Sequence, residues 1–106
     1  MIALNNKNEF VQAIQGNTPV LVDFWAPWCV YCRRLEPTLE VFAQQHPELT
    51  VVKVNIDEVP EVAIQERIEV IPTLVLYQNG NALGSIVAPE SKAMIDNWYA
   101  EGVKGV

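Results

Sequence analysis

The chain contains two cysteines, Cys29 and Cys32, separated by Val30 and Tyr31. They follow the apolar run Val20-Leu21-Val22-Asp23-Phe24-Trp25 and open a segment with helical periodicity. One helical turn brings two α-carbons to roughly the 5–6 Å a disulfide requires, so the pair closes and opens with little backbone movement. At a helix start, unpaired N–H groups and the helix dipole favour negative charge and stabilise a thiolate at the first cysteine. Arg33 and Arg34 add positive charge nearby. The thiolate is the attacking species in disulfide exchange, so Cys29 is the candidate nucleophile. Cys32, one turn inside, is the candidate resolving thiol.

Two cysteines at this spacing are also compatible with buried thiols packing as small hydrophobes, or with half of a metal site. A structural zinc site needs about four ligands, and Cys29, Cys32 and His46 supply three at an unusual spacing, so no metal is expected. Trp28 and the two arginines argue for a surface position and against the packed-thiol reading.

Asp23 is the second informative residue. A carboxylate inside an apolar strand is costly to bury unless it is paired or protonated. It stands six residues before Cys29, under the expected helix start, where it can accept the proton of Cys32 through water. The alternative is an exposed edge-strand Asp without a role. Lys53, alone among the valines of its strand, is placed to face Asp23 and modulate its proton affinity, or to reach out to solvent. Pro72, in Ile71-Pro72-Thr73, enters a strand where no ladder hydrogen bond is lost; the spacing leaves its peptide isomer open, with trans the default.

The remaining pattern supplies the elements that hold these residues. Ile2 to Leu4 reads as an edge strand, and Asn6 with Glu9 as a capping box opening a helix with Phe10, Ala13 and Ile14 on one face, stopped near Gly16. Val20 to Trp25 reads as a central strand covered on both sides. A helix is expected from Cys29 to His46, with Leu35, Leu39, Phe42 and Ala43 on one stripe and a kink at Pro37. Val51 to Ile56 is a second buried strand, and Pro60 opens a short helix running through Ile64 to Arg67. Thr73 to Tyr77, Asn79-Gly80 and Ala82 to Val87 form a hairpin with a type I′ turn. Ser91 caps a last helix with Met94, Ile95 and Trp98 inward, and the end from Gly102 to Val106 is expected to fray. The order β-α-β-α-β-α-β-β-α predicts an α/β fold: a central mixed five-stranded sheet flanked by four helices.

At 106 residues and 50% hydrophobic content, the chain fits one domain, 1–106, and buries roughly 65% of its unfolded surface. Its net charge of −6 argues against nucleic acid or an anionic membrane as the main partner. No signal peptide pattern and no membrane-length apolar run is visible, so a cytoplasmic protein is the expectation. The acids Asp57, Glu58, Glu61, Glu66 and Glu69 around Arg67 read as a solvated face, and His46 as a solvated or capping histidine.

Taken together, Val22-Asp23-Phe24-Trp25-Ala26-Pro27-Trp28-Cys29, Cys32, Pro37, Asn55-Ile56-Asp57, Ile71-Pro72-Thr73 and Asn79-Gly80 resemble the thioredoxin family in order over nearly the whole chain. The resemblance implies the thioredoxin fold, a redox-active Cys29–Cys32 disulfide, Asp23 as the buried acid with Lys53 beside it, and Trp28 flanking the site. It also implies that Pro72 is a cis-proline facing the cysteines and that Ile71 offers backbone groups to an extended substrate. Disulfide-containing protein substrates, a thioredoxin-reductase-type electron donor, no bound cofactor and a monomer are further implications. Two departures stand out. The family usually has Gly-Pro where this chain has Val30-Tyr31, and glycine in the substrate-docking loop where it has Ala88; all three positions are expected to contact substrate.

The leading expectation is therefore a disulfide reductase. A more oxidising oxidase or isomerase is the first alternative, since a tenfold change in equilibrium takes only about 30 mV for a two-electron couple. A non-catalytic binding module using Trp28, Tyr31 and Ile71 as an apolar patch is the second.

Overall fold

A computed structural model describes residues 1–104. In chain order the elements are β1 (Ile2–Leu4), α1 (Lys7–Ile14), β2 (Val20–Trp25), α2 (Val30–Gln45), β3 (Thr50–Asn55), α3 (Pro60–Gln65), β4 (Thr73–Gln78), β5 (Asn81–Val87) and α4 (Lys92–Lys104). The strands form one mixed sheet in the order β1-β3-β2-β4-β5. β3 runs parallel to both β1 and β2, while β4 is antiparallel to β2 and β5. The expected α/β architecture and element order are thus present.

Strand alternation distributes the core over the two faces of this sheet. Val20, Val22 and Phe24 of β2 point one way, joining Phe10 and Ile14 of α1 and Val59 and Val62 at α3. Leu21 points the other way, with Leu35, Leu39 and Phe42 of α2 and Ile95 and Tyr99 of α4. Asp23 shares the parity of Leu21, so it lies on the face that α2 covers. β2 is buried along almost its entire length because it is the middle strand of five and carries helices on both sides.

Local chemistry explains most of the boundaries. Glu9 N–H donates to Asn6 Oδ1 at 2.9 Å, and Glu9 Oε1 in turn accepts from Asn5 N–H at 2.8 Å, one residue earlier than a standard capping box. α3 ends before Arg67, short of the expected stop, because Arg67 takes a left-handed φ of 58°. Arg67 N–H bonds Ile64 O and Ile68 N–H bonds Ala63 O, the paired pattern of a Schellman closure. Asn79 and Gly80, with φ of 54° and 81°, make the hairpin turn. β3 begins and ends one residue earlier than the apolar run suggested, and α2 continues through Pro37 to Gln45.

One expectation at the C-terminus changes. Met94 is 43% exposed, and Tyr99 takes the inner position beside Ile95, because 95 and 99 are one helical turn apart and 94 is rotated off that face. Ser91 does cap the helix, accepting from Met94 N–H at 3.2 Å. α4 continues as helix to Lys104, with Gly102 set against Leu76; of the stretch expected to fray, Gly105 and Val106 lie outside the described residues.

Candidate active site

Cys29 is the N-cap of α2, and Cys32 sits in its first turn. Their α-carbons are 5.2 Å apart and the sulfurs are joined as a disulfide. Cys32 N–H donates to Cys29 Sγ at 3.1 Å, so one of the orphan donors of the helix start points at the first sulfur. Any negative charge on that sulfur gains the same bond in charge-assisted form, plus the field of a sixteen-residue helix. The two cysteines differ sharply in access: Cys29 is half-buried, whereas Cys32 is 2% exposed. Arg33 and Arg34 are exposed on the outer side of the helix.

Asp23 lies on the face of the central strand that α2 covers and is 2% exposed, which removes the edge-strand alternative. Its Oδ1 is buried without a hydrogen-bond partner among the described residues. Burial raises its pKa from 3.8 to about 7, with the Glu36 charge pushing further up and Lys53 pulling down. Lys53 is the direct register partner of Asp23 across β2 and β3. Its ammonium, however, bonds Glu36 Oε1 at 2.8 Å and stands 4.8 Å from the Trp25 ring centroid. The expected Asp23–Lys53 proximity is therefore real in register, but the lysine's ion pair is with α2.

Glu36 is a site residue that the sequence pattern alone does not single out. A signal for it exists: it follows Cys32 by four positions, hence the same face of α2 one turn further on. Asp57 is not merely solvated. It accepts a 2.8 Å hydrogen bond from Trp28 Nε1–H, fixing an indole that is otherwise 65% exposed beside the disulfide. Glu66 likewise leaves the solvated set, accepting from the Tyr77 hydroxyl at 2.5 Å. His46 is the C-cap residue of α2 and is half-buried, tilted against Phe42 and edge-on to Tyr99, while its ring still reaches Glu48 at the surface.

The Ile71–Pro72 peptide is cis, as the family resemblance implied and against the trans default that residue spacing left open. Pro72 is buried and Ile71 half-buried at the entry of β4. Pro72 O accepts from Ala88 N–H at 2.8 Å, tying the start of β4 to the loop after β5. Ala88 has a φ of 45°, a left-handed conformation that costs a residue with a β-carbon about 1 kcal/mol. Val30 and Tyr31 are exposed, and the Tyr31 hydroxyl donates to Pro89 O at 2.6 Å. Among the described residues, no group of three or more His, Cys, Asp or Glu is placed to hold a metal, and no helix is long and apolar enough to cross a membrane.

The geometry, a half-accessible N-capping sulfur bonded to a buried one, with a raised-pKa carboxylate on the sheet face that α2 covers, suits thiol–disulfide exchange. Comparison with known proteins agrees. The thioredoxin family model matches residues 1–101. A thioredoxin from Alicyclobacillus acidocaldarius is 45% identical over 93 residues, covering 87% of this chain and 89% of that one. A bifunctional thioredoxin reductase/thioredoxin from Mycobacterium leprae is 39% identical over 95 residues, covering 89% of this chain and 21% of the longer protein. The structure of Plasmodium falciparum thioredoxin superposes with a TM-score of 0.88 at 29% identity, covering 95% of this chain and 98% of that one. The chain belongs to the thioredoxin family, and with its Cys29–Cys32 pair at disulfide distance it is a thiol–disulfide oxidoreductase that reduces disulfides.

Proposed function

We propose that Cys29 and Cys32 reduce protein disulfides in two exchange steps, with the remaining site residues preparing the sulfurs and docking the substrate. The observation that carries the assignment of roles is the Cys32 N–H to Cys29 Sγ hydrogen bond at the start of α2, coupled with the difference in burial between the two sulfurs. In the reduced protein the Cys29 thiolate attacks one sulfur of the substrate disulfide. The substrate S–S bond breaks, one substrate thiolate leaves and takes a proton from water, and a mixed disulfide to Cys29 remains. Asp23, as carboxylate, receives the Cys32 proton through water. Cys32 then attacks Cys29 Sγ, which releases the second substrate thiolate and forms the Cys29–Cys32 disulfide. Two electrons pass to the substrate, and the protein is left oxidised.

Lys53 and Glu36 act on Asp23 as a fixed pair of opposite charges. Trp28, Val30, Tyr31, Ile71, Pro72 and Ala88 form the substrate-contacting surface around Cys29, with Ile71 supplying backbone groups beside the cis-proline. The electron donor is proposed to be a thioredoxin-reductase-type protein. The fusion of the two activities in the Mycobacterium leprae relative supports that pairing. A single-domain, monomeric, cytoplasmic protein serving electron transport and cell redox homeostasis is the setting that matches this chemistry.

Substrate trapping tests the roles. Cys32→Ser is expected to accumulate mixed disulfides through Cys29 when incubated with a disulfide-bonded protein, and Cys29→Ser to accumulate few. Equal trapping by both variants would reverse or abolish the assignment.

A further inference from the structure

Tyr31 and Ala88 are far apart in sequence and meet at the edge of the site. The Tyr31 hydroxyl lies 2.6 Å from Pro89 O and 3.4 Å from Ala88 O. On the other side of the same loop, Ala88 N–H donates to Pro72 O at 2.8 Å. Between these two attachments Ala88 holds its φ of 45°, where its β-carbon crowds the backbone and a free loop would relax to a right-handed conformation. Tyr31 belongs to the first turn of α2, next to Cys32, so its attachment joins the helix that carries the sulfurs to the loop that faces them.

We propose that Tyr31 is a specificity-determining clasp: its hydroxyl holds the 88–89 loop to the start of α2, keeping Ala88 in its left-handed conformation and the docking surface shaped for polypeptide disulfides. This rests on the docking role assigned to that surface above. In the clasped loop the Ala88 N–H is engaged by Pro72 and the Pro89 carbonyl by Tyr31. Ile71, by contrast, makes no backbone–backbone hydrogen bond among the described residues. A polypeptide flanking the scissile disulfide therefore pairs its backbone with Ile71 and finds neither the Ala88 N–H nor the Pro89 carbonyl free at the 88–89 loop, which it meets mainly by van der Waals contact. That contact favours substrates with small or apolar residues at this point and needs a loop that is already in place. A small dialkyl disulfide has no flanking chain and reaches Cys29 without the loop.

Two substitutions separate the clasp from general stabilisation. Tyr31→Phe keeps the ring and removes the donor. Ala88→Gly removes the need for the clasp, since glycine adopts positive φ freely. Reduction of a disulfide-bonded protein and of hydroxyethyl disulfide is measured for each variant at one pH, with a small dithiol as regenerant. For Tyr31→Phe, the ratio of kcat/KM for the protein over that for the small disulfide is expected to fall about five-fold, the factor of one released hydrogen bond, chiefly through KM. Adding Ala88→Gly is expected to recover at least half of the loss. An unchanged ratio, equal losses on both substrates, or a double variant that is merely additive would overturn the clasp. If the unsubstituted protein reduced neither substrate, the exchange mechanism itself would fall and the clasp with it; activity with an unchanged ratio would remove the clasp alone.

Discussion

Replacing Asp23 by Asn tests the electrostatics of the site in a measurement independent of any substrate. The carboxyl is buried on the α2 face of the central strand, and its pKa rises from 3.8 to about 7, first through burial and then through Glu36, against the opposing pull of Lys53. A raised folded-state pKa means that the native state holds the proton more tightly than the unfolded chain. Stability from this group is therefore present in full below pH 3.8 and is lost as the pH rises through about 7. At about 1.4 kcal/mol per pKa unit, the interval corresponds to a loss of about 4 kcal/mol by pH 7 to 8, flat at higher pH. An amide in place of this carboxyl carries no charge at any pH. Asp23→Asn is therefore expected to be more stable than the parent by about 2–4 kcal/mol near pH 8.5, and about equal to it near pH 4. Urea denaturation of the oxidised proteins at several pH values gives this difference directly, with other carboxylates cancelling between the two. A difference independent of pH would refute the reasoning, because it would show that the Asp23 pKa is the same in the folded and the unfolded chain. A parent more stable than the variant near pH 8.5 would refute it as well, because the buried charge would then be stabilised by its partners.

The ion pair above Asp23 gives a second test. Glu36→Gln removes the negative charge that raises the Asp23 pKa, so the carboxyl should titrate below the parent value of about 7 when followed by carbon-detected NMR; an upward movement would contradict the assigned sign. The core under the site gives a third. Phe42 is fully buried on the α2 face, in edge contact with Tyr99, and Phe42→Ala is expected to cost about 3–5 kcal/mol in denaturant unfolding. A cost below about 1 kcal/mol would mean that α2 is not held by that contact.

Much of the site was legible because its chemistry is local. Cys29 and Cys32 are one helical turn apart whatever surrounds them, and an acid within an apolar run announces a buried carboxylate. The boundaries that moved did so through terms that leave little trace in residue type. α3 closes on Arg67 in a left-handed conformation, where glycine would have been the readable signal. Met94 and Tyr99 exchanged places because two apolar stripes on one helix fit the sequence and only the packed sheet selects between them. Asp57 and Glu66, indistinguishable by type from their exposed neighbours, acquired partners from 29 and 11 residues away.

By itself, then, the amino-acid sequence determined the dithiol, the element order, the buried acid and the family pattern, since spacing, periodicity and turn chemistry are properties of short stretches of chain. The structure bore out the cis Ile71–Pro72 peptide that the family pattern implied, and it alone decided two things: that Lys53 pairs with Glu36 while facing Asp23, and that Tyr31 fastens the Ala88–Pro89 loop. Each depends on groups brought together from different elements, where distance and burial rather than residue type set the energy.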